Sequence, residues 1–215
     1  MIRDYELIIF DWDGTLANSI DWIVDCLLFV AEDQNLVKPS EQACKDIIGL
    51  SLSKAMLTLF PNINELEKIK MVESYRRRYL AKPITQNDLF LDTLPVLQEL
   101  MRLGKTLAIA TGKGQQGLDR AVDGTKTRHF FQHFRCADVM KSKPSPHMLF
   151  DIMDVSQISP EKTIMIGDSS LDLIMANNAG VASIGVTTGA HSERVLTDCR
   201  PLCCINNLKE LFEDQ

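Results

Sequence analysis

Short apolar runs alternate with helical patterns over most of the chain, and this alternation restricts the fold more than any other feature. Runs with the length and apolar character of buried strands lie at 6–10, 106–110, 134–137, 163–166, 181–186 and 203–205. Amphipathic helical patterns accompany them at 94–103, 116–122, 147–153, 171–179 and 208–212. Strands that alternate with helices pair in parallel, and the helices cover both faces of the sheet. The sequence therefore predicts an α/β fold with a doubly wound parallel sheet.

The stretch between the first and second predicted strands has a different pattern. Apolar residues such as Ile20 and Val24 recur there at helical spacing, and no good strand candidate is present. The sheet can be completed without this stretch, and the segment that returns to the sheet is polar, as a linker would be. We therefore expect a helical insert at 17–82 and an α/β core formed by 1–16 and 83–215.

Composition and charge exclude several classes of protein. Apolar residues make up 45% and charged residues 24% of the 215 residues, which is typical of a globular chain. The formal net charge is -6, and no long basic stripe is present, so we expect no nucleic-acid partner. No apolar run approaches the roughly 20 residues that span a bilayer, and the first residues lack the layout of a secretion signal. We therefore expect a cytoplasmic protein without a membrane partner.

Acidic residues follow two of the predicted strands at the point where each strand ends. Asp11 and Asp13 follow the first strand, and Asp168 follows the strand at 163–166. Asp172 lies one helical turn beyond Asp168, so it can face the same side. One aspartate at such a position could simply cap a helix, but four carboxylates at one sheet edge repel each other strongly. Because Mg²⁺ prefers oxygen ligands and accompanies phosphate, we predict that these four residues form a magnesium site.

Two further segments have the character of phosphate-binding elements. Thr111 ends a predicted strand and is followed by Gly112 and Lys113, which places a hydroxyl and backbone N–H groups at a helix start. Alone, this segment could be a simple turn, and the spacing of a Walker A loop is absent. Lys143 precedes Pro144, and its ammonium could neutralise phosphate and carboxylate charge together. We expect these residues to bind a phosphate group.

Together these motifs resemble the haloacid dehalogenase superfamily, in its phosphatase branch with a small helical cap. The matching motifs, in chain order, are Asp11-Trp12-Asp13-Gly14-Thr15, Thr111, Lys143-Pro144, and Gly167-Asp168 with Asp172. The resemblance covers essentially the whole chain, and within the superfamily it is strongest to phosphoglycolate phosphatase-like proteins. It implies an enzyme that hydrolyses a small phosphate ester, as a monomer or a homodimer. Two departures occur, at Asn18 and at 90–93, and neither touches the chemistry. The second borders the entrance to the active site, so the resemblance leaves the substrate open.

The resemblance implies a role for each site residue. Asp11 would attack phosphorus and form an aspartyl-phosphate. Asp13 would donate a proton to the leaving alkoxide and then accept one from water. Mg²⁺ would bridge Asp11 and the phosphate, with Asp168 and the backbone carbonyl of Asp13 as further ligands. Asp172 would be a ligand or would orient one. The phosphoryl oxygens would be stabilised by Lys143, Thr111 and the backbone N–H groups of Trp12, Asp13 and Gly112.

Other functions share parts of this pattern. A phosphosugar mutase of the same fold would return the phosphoryl group to a second hydroxyl, and no residue of the helical insert decides between the two activities. A phospho-receiver signalling module also uses a phosphorylated Asp, but such modules are much shorter and their Lys comes last, whereas Lys143 precedes Asp168. Dehalogenase activity is disfavoured because halide release needs no proton, and that branch lacks the second aspartate that Asp13 provides.

Some residues of the helical insert could contact a substrate. Lys54 and the three arginines at 76–78 could pair with a carboxylate, although three consecutive helical residues point in three directions. The Gly-Leu-Ser segment at 49–51 interrupts the helical pattern and could form a loop over the site. We expect the insert to select small substrates.

Overall fold

The computed structural model describes residues 2–213 and contains a six-stranded sheet in which every pair of neighbours is parallel. The strands are β1 (Leu7–Phe10), β2 (Thr106–Thr111), β3 (His133–Cys136), β4 (Thr163–Gly167), β5 (Ala182–Val186) and β6 (Cys203–Ile205). Their order across the sheet is β3-β2-β1-β4-β5-β6. The predicted doubly wound α/β fold and its six predicted strands are confirmed.

The central strand β1 is apolar at every position because both of its faces are covered. Side chains alternate between the two faces of a strand. Leu7 and Ile9 belong to one buried apolar cluster, and Ile8 and Phe10 belong to another on the opposite face. A strand that faces solvent on one side would instead alternate apolar and polar residues.

Nine α-helices accompany the sheet within residues 2–213. They are α1 (Ile20–Asp33), α2 (Glu41–Asp46), α3 (Leu52–Leu59), α4 (Glu65–Leu80), α5 (Thr93–Arg102), α6 (Gln115–Gly124), α7 (His147–Ser156), α8 (Ser170–Ala179) and α9 (Glu193–Asp198). The helices predicted after β1 and around β2 to β5 are confirmed, but the segment predicted as a closing helix is a 3-10 helix, Leu208–Phe212. Helix α9 was not predicted, because it buries only Leu196 and so has no apolar stripe. Across the described residues, no helix has the length and apolar character needed to cross a bilayer.

Helices α1–α4 have an apolar cluster of their own, distinct from the two clusters beside the sheet. Its buried members lie between Ile20 and Met71, with Ala190 as an addition from the segment after β5. Asn64 and Glu67 form a capping box at the start of α4, which satisfies two backbone N–H groups at that end. These helices therefore have an apolar core of their own. The division of the chain into an insert at 17–82 and an α/β core stays a prediction.

The two connections between α1–α4 and the sheet run side by side. Ala17 and Leu89 form an antiparallel bridge, and Asn18 N donates to the carbonyl of Asp88 at 2.8 Å. The first connection begins a few residues after Asp11, at the carboxyl end of β1. The helices are therefore attached next to the predicted nucleophile.

Candidate active site

The carboxyl ends of β1, β2 and β4 meet where the strand order reverses. The chain runs outward from β1 to β2 and β3, and then places β4 on the other side of β1. Such a switch point is the usual ligand site of an open parallel sheet. Asp11 directly follows β1, Thr111 ends β2 and Asp168 directly follows β4. The topology therefore brings these three side chains to one edge of the sheet.

Asp11, Asp168 and Asp172 form a buried acidic group at this edge. One carboxylate oxygen of each lies within 4.8 Å of the others. Each of the three residues is 2% exposed or less. Three of the four carboxylates that the sequence placed together therefore converge.

The side chain of Asp13 does not belong to the acidic group and faces Ser19 and Lys113. Its Oδ1 accepts a hydrogen bond from Ser19 Oγ at 2.6 Å, and its Oδ2 lies 2.9 Å from Lys113 Nζ. Asp13 lies in the turn that leads from β1 to α1, and these two partners hold its carboxylate on that side. A contact between Asp13 and a metal in the acidic group would therefore come from its backbone carbonyl.

Lys143 lies inside the acidic group. Its Nζ is 2.9 Å from Asp11 Oδ1 and 2.6 Å from Asp172 Oδ1, and its side chain is fully buried. Burial disfavours the ammonium, but the two carboxylates outweigh this effect and the pKa of Lys143 is raised. Both contacts are buried ion pairs, so Lys143 neutralises part of the negative charge of the acidic group.

Both oxygens of Asp168 are held by neighbouring loops. Thr15 Oγ1 donates to Oδ1 at 2.9 Å, and Ala190 N donates to Oδ2 at 2.7 Å. A Cβ added at Gly14 or Gly189 would lie 2.2 Å or 1.9 Å from Oδ2, so only glycine leaves room for the carboxylate. Thr15, Gly189 and Ala190 were not predicted as site residues. The hydroxyl of Thr15, close to Asp11 and Asp13 in the sequence, could have indicated that this residue binds a carboxylate of the site.

Asp172 uses its two oxygens for different partners. Oδ2 accepts from Ser169 N at 3.2 Å and from Ser169 Oγ at 2.6 Å, which caps the start of α8. Oδ1 faces Lys143. Asp172 is therefore a helix-capping residue and a member of the acidic group at once.

The charges of the acidic group fit a divalent cation. Burial raises the pKa of Asp11 to about 7, with Lys143 opposing and Asp172 adding to the rise. Burial, and then the charges of Asp172 and Asp11, hold the pKa of Asp168 well above its usual range. Three buried carboxylates face one ammonium, so a further cation would favour their ionised forms. Three clustered carboxylates offer the oxygen ligands that suit a hard cation such as Mg²⁺.

The residues predicted to bind phosphate lie in two turns beside Asp11. Trp12 N donates to Asp11 Oδ1 at 2.7 Å, so this N–H orients the carboxylate. Thr111 Oγ1 accepts from Lys113 N at 3.2 Å, and its own O–H can donate to a ligand. Lys113 was predicted as a phosphate ligand, but its Nζ is held by Asp13.

Gly112 is the point where the loop at 49–51 touches the sheet edge. A Cβ added at Gly112 would lie 2.4 Å from Gly49 O and 2.7 Å from Leu50 O. The same loop also contacts the segment that carries Lys143, because Ser51 N donates to Ser142 Oγ at 2.9 Å. The loop that the sequence placed over the site therefore lies against it.

A cavity of about 430 Å³ lies between α1–α4 and the sheet edge. Asp11, Asp13 and Thr111 are among the residues that line it on the sheet side. The helices contribute mainly apolar and aromatic side chains, among them Ile23, Leu27, Val72, Tyr75 and Tyr79, and Ile47 follows α2. A phosphate group bound at Asp11 would therefore have its organic part under the helices.

The three consecutive arginines of α4 point in different directions, as predicted. Arg77 pairs with Asp33 at 3.2 Å, and Arg78 pairs with Asp25 at 2.9 Å. Arg76 lines the cavity. Of the three, Arg76 is therefore the one placed to meet a substrate.

The chain is similar in sequence and in fold to known hydrolases. The model of the haloacid dehalogenase-like hydrolase family matches residues 8–186. A phosphoglycolate phosphatase of Vibrio parahaemolyticus is 28% identical over 220 residues, which cover 98% of this chain and 96% of that protein. A solved haloacid dehalogenase-like hydrolase from Bacteroides fragilis has a TM-score of 0.87 and 26% identity, and the match covers 97% of this chain and all of that one.

A mutase shares the fold as well. A β-phosphoglucomutase from Clostridium difficile has a TM-score of 0.85 at 18% identity, covering 96% of this chain and 93% of that chain. This likeness concerns the fold alone. The family match is of a different kind, because it spans the strands that carry Asp11, Thr111 and Asp168. On this ground the chain belongs to the haloacid dehalogenase-like hydrolase family.

Proposed function

We propose that the protein is a Mg²⁺-dependent phosphatase that hydrolyses a small phosphate monoester through an aspartyl-phosphate on Asp11. The placement of the Asp11 carboxylate carries this proposal. It follows the central strand, is oriented by Trp12 N at 2.7 Å and lies 2.9 Å from the buried Lys143 ammonium. A carboxylate so held can attack phosphorus while Lys143 neutralises charge on the transferring group.

The chemistry proceeds in two halves. Asp11 attacks phosphorus, and the alkoxide departs with a proton from Asp13. Asp13 then accepts a proton from the water that attacks the aspartyl-phosphate, which frees Asp11 and releases inorganic phosphate. Thr111 and Lys143 donate to the phosphoryl oxygens in both halves. When bound, Mg²⁺ would be held by Asp11, Asp168 and the Asp13 backbone carbonyl, and would supply further charge neutralisation.

We also propose that residues 17–82 form a cap domain over a core made of 1–16 and 83–215. The cavity under α1–α4 and the contact of the 49–51 loop with Gly112 support this division. A volume of about 430 Å³ lies in the lower part of the range for small-molecule sites. It suits a small phosphate ester, and a two-carbon phosphate is one candidate because a relative is named as a phosphoglycolate phosphatase.

A screen of phosphate esters with Mg²⁺ tests the function. It would compare two-carbon, three-carbon, sugar and nucleotide phosphates, and measure free phosphate in parallel with the organic product. Release of phosphate with repeated turnover is expected. A mutase would yield an isomeric sugar phosphate, and a receiver module would keep its phosphoryl group and release little phosphate.

Removal of divalent cations is expected to abolish turnover, and Mg²⁺ is expected to restore it. The reason is that Asp11 and Asp168 repel each other and an incoming phosphate when no cation lies between them. Ca²⁺ should restore turnover poorly, because its longer and more variable coordination misplaces the attacking oxygen. Turnover and the thermal midpoint are measured with chelator, with Mg²⁺ and with Ca²⁺. Full activity in excess chelator would contradict the metal requirement.

Gly112→Ala is expected to lower kcat/KM by up to about 100-fold, since a misplacement of about 1 Å at the site of reaction can cost this much. The added Cβ would overlap Gly49 O at 2.4 Å, so the loop at 49–51 must move away from the site. Gly117→Ala is the matched control, because a Cβ there meets no atom within 4 Å. Equal activity of the two variants would show that the loop contact is irrelevant to turnover.

A further inference from the structure

A cap-side tyrosine reaches the proposed acid–base residue through a lysine. Tyr79 lies near the end of α4, and its hydroxyl accepts a hydrogen bond from Lys113 Nζ at 2.8 Å. The same ammonium lies over the Tyr79 ring, 4.6 Å from its centroid, and 2.9 Å from Asp13 Oδ2. Asp13, Lys113 and Tyr79 therefore form one continuous set of contacts, which we name the Asp13–Lys113–Tyr79 contact chain.

The Asp13–Lys113–Tyr79 contact chain is shielded from solvent at Asp13 and Lys113. The side chains of Lys113 and Asp13 are 8% and 10% exposed. Little solvent reaches the contact between Lys113 and Asp13, so this ion pair is weakly screened.

Without Lys113, the Asp13 carboxylate would depend on Ser19 alone among the partners described, at 2.6 Å from Oδ1. The ammonium of a lysine is carried on a flexible four-carbon stem, so the side chain alone does not hold it beside Asp13. Besides Asp13, the hydroxyl and the ring of Tyr79 are the contacts described for this ammonium. Since Tyr79 belongs to α4 and Asp13 to the turn after β1, the direction of Asp13 depends on where α4 lies.

We propose that Tyr79 is a positioning residue for the proton transfer: it fixes Lys113, and Lys113 fixes Asp13 toward the leaving oxygen of the substrate. This inference rests on the proposed phosphatase function. It assigns Lys113 to the orientation of Asp13, in place of the phosphate contact that the sequence indicated. It also explains how the cap affects a chemical step without supplying a reacting group.

The inference predicts a dependence on the leaving group. An alkoxide needs a proton from Asp13 in order to leave, whereas p-nitrophenolate leaves as a stable anion. Tyr79→Phe keeps the ring and removes the hydroxyl. It is expected to lower kcat/KM by about 10-fold for an alkyl phosphate, part of the 10²- to 10⁴-fold that general acid catalysis supplies. For p-nitrophenyl phosphate, kcat/KM should stay within about twofold, because it reports the first irreversible step.

The experiment measures kcat and KM of the full-length protein with Mg²⁺, using p-nitrophenyl phosphate and the best alkyl phosphate of the substrate screen. Tyr5→Phe is the control. It removes a hydroxyl from a tyrosine that does not line the cavity, and it should change turnover of neither substrate. Lys113→Met and the double variant Tyr79→Phe, Lys113→Met complete a cycle. The double variant should be no slower than Lys113→Met, because Tyr79 acts through Lys113.

Three outcomes would overturn the inference. Equal losses for the two substrates would show that Tyr79 acts on binding or folding, which thermal melting would report separately. Additive losses in the double variant would show that Tyr79 does not act through Lys113. No loss in Tyr79→Phe would show that the hydroxyl has no positioning role. A wild-type protein that hydrolyses neither substrate would instead overturn the phosphatase function itself, so the two failures are distinguishable.

Discussion

Asp11→Asn is expected to reduce kcat by a factor on the order of 10⁴ to 10⁶, as the loss of a nucleophile does in other covalent mechanisms. The amide is nearly isosteric with the carboxylate but is a far weaker nucleophile toward phosphorus. Its oxygen can still accept from Trp12 N, so the turn after β1 should persist. Phosphate release by purified protein, with circular dichroism as the test of folding, checks this expectation.

The same variant should not be destabilised in the absence of Mg²⁺. Lys143 keeps Asp172 as its counter-ion at 2.6 Å in this variant. Burial already raises the pKa of Asp11 to about 7, so a neutral amide at this position relieves repulsion among the three carboxylates. Asp4→Asn, at an exposed position outside the site, is the control and should retain full turnover. Hydrolysis at the wild-type rate by a folded Asp11→Asn protein would eliminate Asp11 as the nucleophile.

Lys143→Met is expected to have the second large effect, on both activity and stability. Loss of a cation that stabilises the transferring phosphoryl group should lower kcat by about 10²- to 10³-fold. Asp11 and Asp172 would also lose their buried counter-ion, which lies 2.9 Å and 2.6 Å from them. Removal of one partner from a buried ion pair costs about 3–5 kcal/mol. At about 2–4 °C per kcal/mol for a domain of this size, the thermal midpoint should fall by roughly 6–20 °C.

Mg²⁺ should recover part of this stability but little of the activity, because a cation can replace the charge of Lys143 but not its position. Lys141→Met is the matched control. It removes an exposed lysine from the same loop and should change neither quantity. A Lys143→Met protein with an unchanged thermal midpoint in chelator would show that the acidic group does not need this ammonium.

Much of the fold could be predicted because it depends on local patterns. Leu7–Phe10 is apolar at every position, and this identifies a strand covered on both faces. The helices with wide apolar stripes were found for the same reason. The short helix α9 was not, because Leu196 is its only buried residue and a single apolar position has no period.

The positions of Asp11 and Asp168 at strand ends were also readable from the sequence. Parallel strands present their carboxyl ends at one edge, so an acid after β1 and an acid after β4 must approach each other if the strands are neighbours. The residues that hold these acids in place could not be predicted in the same way. Thr15 and Ala190 hold Asp168 across separations of 153 and 22 residues. No local sequence pattern indicates contacts between such distant segments.

The sequence by itself determined the sheet, the order of its acidic and phosphate-binding motifs, and the helical segment between β1 and β2. Only the tertiary structure decided which way Asp13 and Lys113 face. Both residues lie in turns after strands, where strand period does not set the direction of a side chain, and Lys113 in addition has a flexible four-carbon stem. The direction of Lys113 is set by Tyr79, whose hydroxyl accepts a hydrogen bond from it although the two residues are 34 positions apart in the chain. The acidic group has no need of Lys113, because Lys143 already lies beside Asp11 and Asp172. Side-chain direction in a turn is set by such contacts between distant segments, and they exist only once the helices are packed on the sheet.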